Sequence, residues 1–262
     1  MASWLDHRTD PPHAGTAALI CIPSAGNGDF QFDRWPDTVG PWCVVRTPAA
    51  GGPGGEAPGT RSAASATPAP SGLPERAAEL VADLMRRGVE NFALFGHESA
   101  ALLGYQVAVE LDRRGAPAPL RLFVSGCPAP QYLSRYAGEA HAEPTDDELT
   151  ERALATAVAM GGIPLPSIVA TGVRALRAEL AALRAYRMPR PVPLRCPLTA
   201  IRWLDQGIEL EALAGWSAYG DTDLVQLPGS GLSYATEPAD LLRVIGDRAP
   251  APAGDIRRPA EW

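Results

Sequence analysis

Lysine is absent from this 262-residue chain: all 23 of its basic residues are arginine, set against 30 acidic ones for a net charge of −7. Phosphate-backbone binding rests on clustered positive charge, so this balance argues against a nucleic-acid partner. Long apolar runs are missing too. No stretch nears the ~20 residues that span a bilayer, and the opening MASWLDHRTDPP lacks the basic-then-apolar layout of a secretory signal. A cytoplasmic protein without a membrane partner is therefore expected. Cysteine is sparse, and Cys21, Cys43, Cys127 and Cys196 are far apart, in or beside predicted strands. That pattern favours buried thiols over a disulfide framework or a metal site, and no metal or cofactor is expected. Histidine is scarcer still in the part of the chain where it will matter: the four are His7, His13, His97 and His141, with none beyond.

What is present is an ordinary soluble composition, 46% apolar and 20% charged, in a chain long enough to bury a large core as one domain over 1–262. Short apolar runs at Ala17–Ile22, Trp42–Thr47, Phe92–Phe95, Leu120–Val124, Cys196–Ile201 and Leu224–Leu227 read as buried strands. Between them, Pro74–Arg87 carries apolar residues at helical spacing, with Pro at its start and Gly88 after its end. Strands alternating with helices predict an α/β fold with a mostly parallel sheet covered on both faces. The Gly-, Ala-, Pro- and Ser-rich segment Pro48–Gly72 is expected to be a long mobile loop. The alternation breaks over Pro144–Arg187, where helices follow one another without a strand. Thr145 and Glu148 open this region as a capping box.

The stretch that organises the rest is Asn91–Leu103, NFALFGHESAALL. A buried strand breaks at Gly96, and a helix starts at Ser99. Strand, tight turn and helix form a nucleophile elbow, which projects one side chain at the carboxyl edge of a parallel sheet. The segment resembles the G-H-S-M-G-A-L elbow of type II thioesterases, α/β-hydrolase enzymes that edit carrier-bound acyl chains in polyketide and nonribosomal peptide assembly. Gly96, His97, Ala101 and Leu102 match, while Glu98 stands where that family has its serine. Pro23-Ser24-Ala25-Gly26 resembles the family's F-P-H-A-G-G, whose loop supplies an oxyanion-hole N–H, although an ordinary glycine-containing turn also fits these residues. In 131–193 the order D-D-E-L, M-G-G-I-P, A-L-R-A-E-L, A-Y-R resembles the family's helical lid, and CPLTAI at Cys196 resembles its C-P-L-T-A-F strand. Asp205 lies eleven residues before Trp216, the interval of the family's triad aspartate. The family's triad histidine falls on Gly231. The resemblance spans about Ala17 to Ile245 and implies the α/β-hydrolase fold with an inserted lid.

Serine hydrolysis needs an activated hydroxyl, a base and an orienting carboxylate, and two of the three are missing at their places. His97 reads as a packing residue beside the elbow. Ser99 would begin the helix with its hydroxyl turned from the pocket, but its N–H could pair with that of Ala25 as oxyanion donors. Glu98 becomes the candidate working group, its partner a protein arginine (Arg202 or Arg135), a water or a ligand amide, with Ser24, Ala25, Ser99 and Gly231 bordering the substrate. The expected function is non-hydrolytic: Glu98 as general acid–base on a small-molecule or modified-peptide intermediate, by epimerisation, isomerisation or cyclisation. Triad-less α/β-hydrolase proteins of peptide natural-product pathways, the bottromycin epimerase among them, supply the analogy. The alternatives are a protein that binds such an intermediate without turnover and a thioesterase working through other residues, with a carrier protein as a possible partner.

Overall fold

The computed structural model describes residues 17–24, 29–47, 72–137, 143–187 and 190–248. The chain enters the sheet at its middle, with β1 (Ala17–Ile22). It moves outward through a two-residue β2 (Thr38–Val39) to β3 (Trp42–Arg46), then crosses back to β4 (Phe92–His97), β5 (Leu122–Ser125), β6 (Leu198–Trp203) and β7 (Thr222–Leu227). The resulting order is β2-β3-β1-β4-β5-β6-β7, parallel throughout except for the β2–β3 pair. This is the expected α/β fold, with the short antiparallel β2 as the one strand that the apolar pattern gave no sign of. Two residues carry too little periodicity to register.

The central strands β1, β4 and β5 are almost wholly buried because they serve two cores. Along β1, Ala18, Ile20 and Ile22 face one side, and Leu19 and Cys21 the other; along β4, Phe92 and Leu94 oppose Ala93 and Phe95. Helices α1 (Leu73–Arg86) and α2 (Ser99–Arg113) cover the first face through residues such as Leu80, Leu84, Leu103 and Val107. On the second face Phe32 and Trp35 pack with Tyr234, Leu241 and Ile245 from the C-terminal helices. All four cysteines are unpaired thiols, three of them buried. Among the described residues, no helix is long and apolar enough to cross a membrane. The segment expected to be a mobile loop, Pro48–Gly72, lies outside the described residues except for Gly72, which precedes α1.

Between β5 and β6 the chain inserts α3 (Leu133–Ala137), α4 (Asp146–Ala159) and α5 (Pro166–Ala185). The Thr145–Glu148 capping box is present in both directions. Helices α4 and α5 share a small core of Leu149, Ala153, Val169 and Leu176. The strand order reverses between β1 and β4, and in open parallel sheets ligands sit beyond the carboxyl ends of the strands at such a point.

Candidate active site

Glu98 follows β4 directly and precedes the first turn of α2, with φ 51° and ψ −122°. It is the only non-glycine residue with positive φ among those described, a conformation that costs about 1–3 kcal/mol and clusters at functional sites. The sharp turn requires Gly96, because a Cβ there would lie 2.3 Å from the Ala100 carbonyl oxygen and 2.6 Å from the Ala101 nitrogen. The elbow predicted from the sequence is therefore formed, and it carries a carboxylate.

That carboxylate borders a cavity of about 510 Å³ between the strand ends and the helical insertion. Leu176, Leu180 and Leu183 of α5 make much of its apolar wall, with Leu133, Ile208 and Leu232. Its polar floor gathers Glu98, Ser99, Arg152, Glu179 and Gln206. Arg152 of α4 lies 3.3 Å from Oε2 and 3.5 Å from Oε1 of Glu98. Gln206 Nε2 donates to Oε1 at 3.3 Å and to the Gly126 carbonyl at 3.2 Å. These contacts are long beside the 2.7–2.9 Å typical of charge-assisted bonds. An ionised carboxylate accepts about four hydrogen bonds, so Glu98 retains capacity for a water or a ligand N–H.

The arginine partner is thus neither of the two expected. Arg202 donates to the Ile208 carbonyl and to Gln226, and Arg135 pairs with Glu209. Asp205 is a second correction. It sits exposed in a 3-10 turn at Leu204–Gln206, and Gln206 is the residue that turns into the cavity. A Cβ on Gly231 would lie 3.1 Å from Gln206 Nε2, so Gln206 fills the space beside Gly231. Gly231 does border the cavity. Ser24 is a third correction: it is buried, its N–H and hydroxyl both donate to Gln31 Oε1, and it does not line the cavity. Tyr234 donates to the same oxygen at 2.7 Å. Ala25 and His141 lie outside the described residues.

Ser99 is a fourth. Its hydroxyl lines the cavity and donates to Glu179 Oε1 of α5. Burial pushes the Glu179 carboxyl up to about 8, with the Glu98 charge adding to the rise and Arg152 and Arg76 opposing it. A carboxyl raised towards neutral pH therefore sits against the residue that follows Glu98. Glu179 is the sole acidic residue of α5 and falls on the stripe Leu176, Leu180, Leu183 that faces the cavity. A carboxylate on an apolar helix face was the sequence signal for it. As the first residue of α2, Ser99 also has an N–H with no acceptor inside the helix.

His97 packs as expected. Its ring stacks on Tyr234 at 4.2 Å, and Nδ1 lies 3.0 Å from Ser125 Oγ, an oxygen that accepts from Trp203 Nε1 at 2.9 Å. Nε2 faces Glu98 Oε1 at 4.0 Å. Burial holds the imidazole at about 4, below its ordinary value, which makes it a weak base at neutral pH. Burial likewise pushes the Cys127 thiol up, with the Glu98 and Glu179 charges adding to the effect, so this cavity-lining sulfur stays protonated and unreactive.

Known proteins share this arrangement of sheet and insertion. The chain is similar to the RedJ thioesterase from the prodiginine biosynthetic pathway in Streptomyces coelicolor, at 28% identity and TM-score 0.69 over 91% of this chain and 93% of that one. It superposes with TM-score 0.71 on the type II thioesterase BorB from the borrelidin biosynthetic cluster, at 21% identity over 94% and 98% of the two chains. It is also 26% identical over 212 residues to the gramicidin S biosynthesis protein GrsT of Aneurinibacillus migulanus, covering 78% of this chain and 76% of that protein. Residues 17–250 match the family model described as "Thioesterase domain", and with the elbow, the insertion and the cavity in their places the chain belongs to the thioesterase-domain family.

Proposed function

We propose that this protein acts as a type II thioesterase on acyl or peptidyl thioesters of a nonribosomal peptide or polyketide pathway, delivered on a carrier protein, with Glu98 as the base that activates the hydrolytic water. One observation carries this reading: the elbow is intact and projects a carboxylate into the lidded cavity with all its partners at 3.3 Å or more. The acyl chain lies along Leu176, Leu180 and Leu183. Its carbonyl meets the Ser99 N–H, which stabilises the oxyanion as charge develops. Glu98 takes a proton from water, the hydroxide adds to the carbonyl carbon, and the proton later reaches the departing thiolate. No histidine is needed, because a carboxylate can perform this general base step itself.

The related structures named above are thioesterases, which favours water as the partner of Glu98 over the carbon acid expected from the sequence. A second reading, binding without turnover, draws support from Gln206, which occupies the place of an orienting carboxylate. Release of free thiol from a series of acyl-N-acetylcysteamine thioesters separates the two. We expect turnover that falls ~10²–10⁴-fold in Glu98→Gln while binding of the thioester persists. Tight binding with no thiol release across the series would replace this function with sequestration. Solvent deuterium incorporated into the bound acyl group without thiol release would restore proton transfer at carbon.

A further inference from the structure

Two carboxylates flank the start of α2, and only one of them has been given a task. Glu179 reaches down from the helical insertion to the hydroxyl of Ser99, and both line the cavity floor. A hydroxyl bonded to a carboxylate, within reach of a bound carbonyl, is the nucleophile–base arrangement of covalent catalysis. Cys127, the other nucleophilic atom type at this floor, is held as a thiol by burial. Ser99 is nearly buried, at 7% exposure, so its hydroxyl meets the cavity rather than bulk water.

We infer that Ser99 and Glu179 form a displaced acyl-transfer dyad, in which the Ser99 hydroxyl accepts the acyl group from a thioester before water removes it. The inference rests on the thioesterase reading above and adds a covalent intermediate to it. In the first half-reaction Ser99 Oγ attacks the thioester carbonyl and passes its proton to Glu179. The C–S bond breaks, and the thiolate leaves with the proton from Glu179. In the second, water gives a proton to Glu98 and attacks the Ser99 ester. Ser99 Oγ then leaves with the proton from Glu98, and the free acid is released. No redox partner is involved, and every proton taken is returned.

The charges facing Glu179 come from three elements: Glu98 at the elbow, Arg152 on α4 and Arg76 on α1. Their balance with burial holds the carboxyl near 8, so its base form becomes available as pH rises through that value. The acylation step should therefore accelerate from pH 6 to 9 with a midpoint near 8, and Glu179→Gln should abolish that dependence.

The decisive experiment is rapid acid quenching of the full-length protein with a medium-chain acyl-N-acetylcysteamine thioester, followed by intact-mass measurement and peptide mapping. With Glu98→Gln, which removes the base that activates water in the second half-reaction, a single acyl adduct should accumulate and map to Ser99. Ser99→Ala should show no adduct, and Glu179→Gln should form it at least 100-fold more slowly. If Ser99→Ala hydrolyses the thioester at the unaltered rate and no adduct appears in Glu98→Gln, the dyad is overturned and direct attack by Glu98-activated water stands. If the unaltered protein acylates Ser99 but never releases acid, the dyad stands and the hydrolytic function fails.

Discussion

Replacing Gly96 by alanine adds one methyl group, yet it should be among the most damaging small substitutions in the chain. The new Cβ would lie 2.3 Å from the Ala100 oxygen, 2.4 Å from the Ala100 carbonyl carbon and 2.6 Å from the Ala101 nitrogen. All three are backbone atoms in the first turn of α2 and cannot swing aside as a side chain would. To reach even 3.0 Å the helix start must shift by about 0.7 Å relative to β4, whereas unstrained contacts need more. Overpacking usually costs about 1–3 kcal/mol, and a backbone obstruction belongs at the upper end, so ~3 kcal/mol is expected. At roughly 2–4 °C per kcal/mol for a chain of this size, Tm should fall by ~6–12 °C. Turnover should fall further, because a displacement approaching 1 Å in catalytic groups can cost ~10²-fold. Gly104→Ala is the matched control. Its Cβ would meet only the methyl ends of Leu122 at 3.0 Å and Ile22 at 3.7 Å. Inside α2 alanine gains about 1 kcal/mol over glycine, so the net effect should lie near zero. Urea unfolding followed by the fluorescence of buried Trp42, Trp203 and Trp216 measures both. If the two variants unfold at the same midpoint, the close approach of helix to strand is not what makes the elbow.

Rebuilding a serine triad tests the register of the site. Glu98→Ser with Gly231→His should gain no serine-type turnover, because Asp205 is exposed and Gln206 blocks the imidazole. Adding Gln206→Asp clears that space and supplies the carboxylate, so the triple variant should react with a serine-directed phosphonate where the double does not. Stability should depend on pH with two opposing slopes. Glu179 has a folded value raised to about 8 from 4.5, so its contribution is full below pH 4.5 and is lost as pH rises towards 8. His97 has a folded value lowered to about 4 from 6.5, so its contribution is full above pH 6.5 and is lost as pH falls towards 4. Urea midpoints across pH 4–9 should flatten on the alkaline side in Glu179→Gln. By NMR, one imidazole should stay neutral down to about pH 5, and a His97 ring that titrates near 6.5 would contradict its burial.

The strand runs, the capping box at Thr145 and the elbow were all legible because each is written in neighbouring residues. Phe92–Phe95 is apolar on both faces since both faces are buried, and Gly96 and Glu98 mark the turn within three positions. Local steric rules suffice for such features, and a single chain segment obeys them whatever surrounds it. The composition of the site was decided elsewhere. Arg152 comes to Glu98 across 54 residues, Glu179 to Ser99 across 80, and Gln206 to Glu98 across 108. Each pairing depends on how α4, α5 and the turn after β6 pack over the sheet. A helix periodicity tells which residues share a face but not what that face meets. In the Leu204–Gln206 turn, a shift of one residue exchanges an exposed aspartate for a glutamine in the cavity. The sequence by itself thus determined the sheet, the elbow and the carboxylate at its tip. Only the tertiary structure decided which distant side chains surround Glu98, because burial and charge act through space and not along the chain.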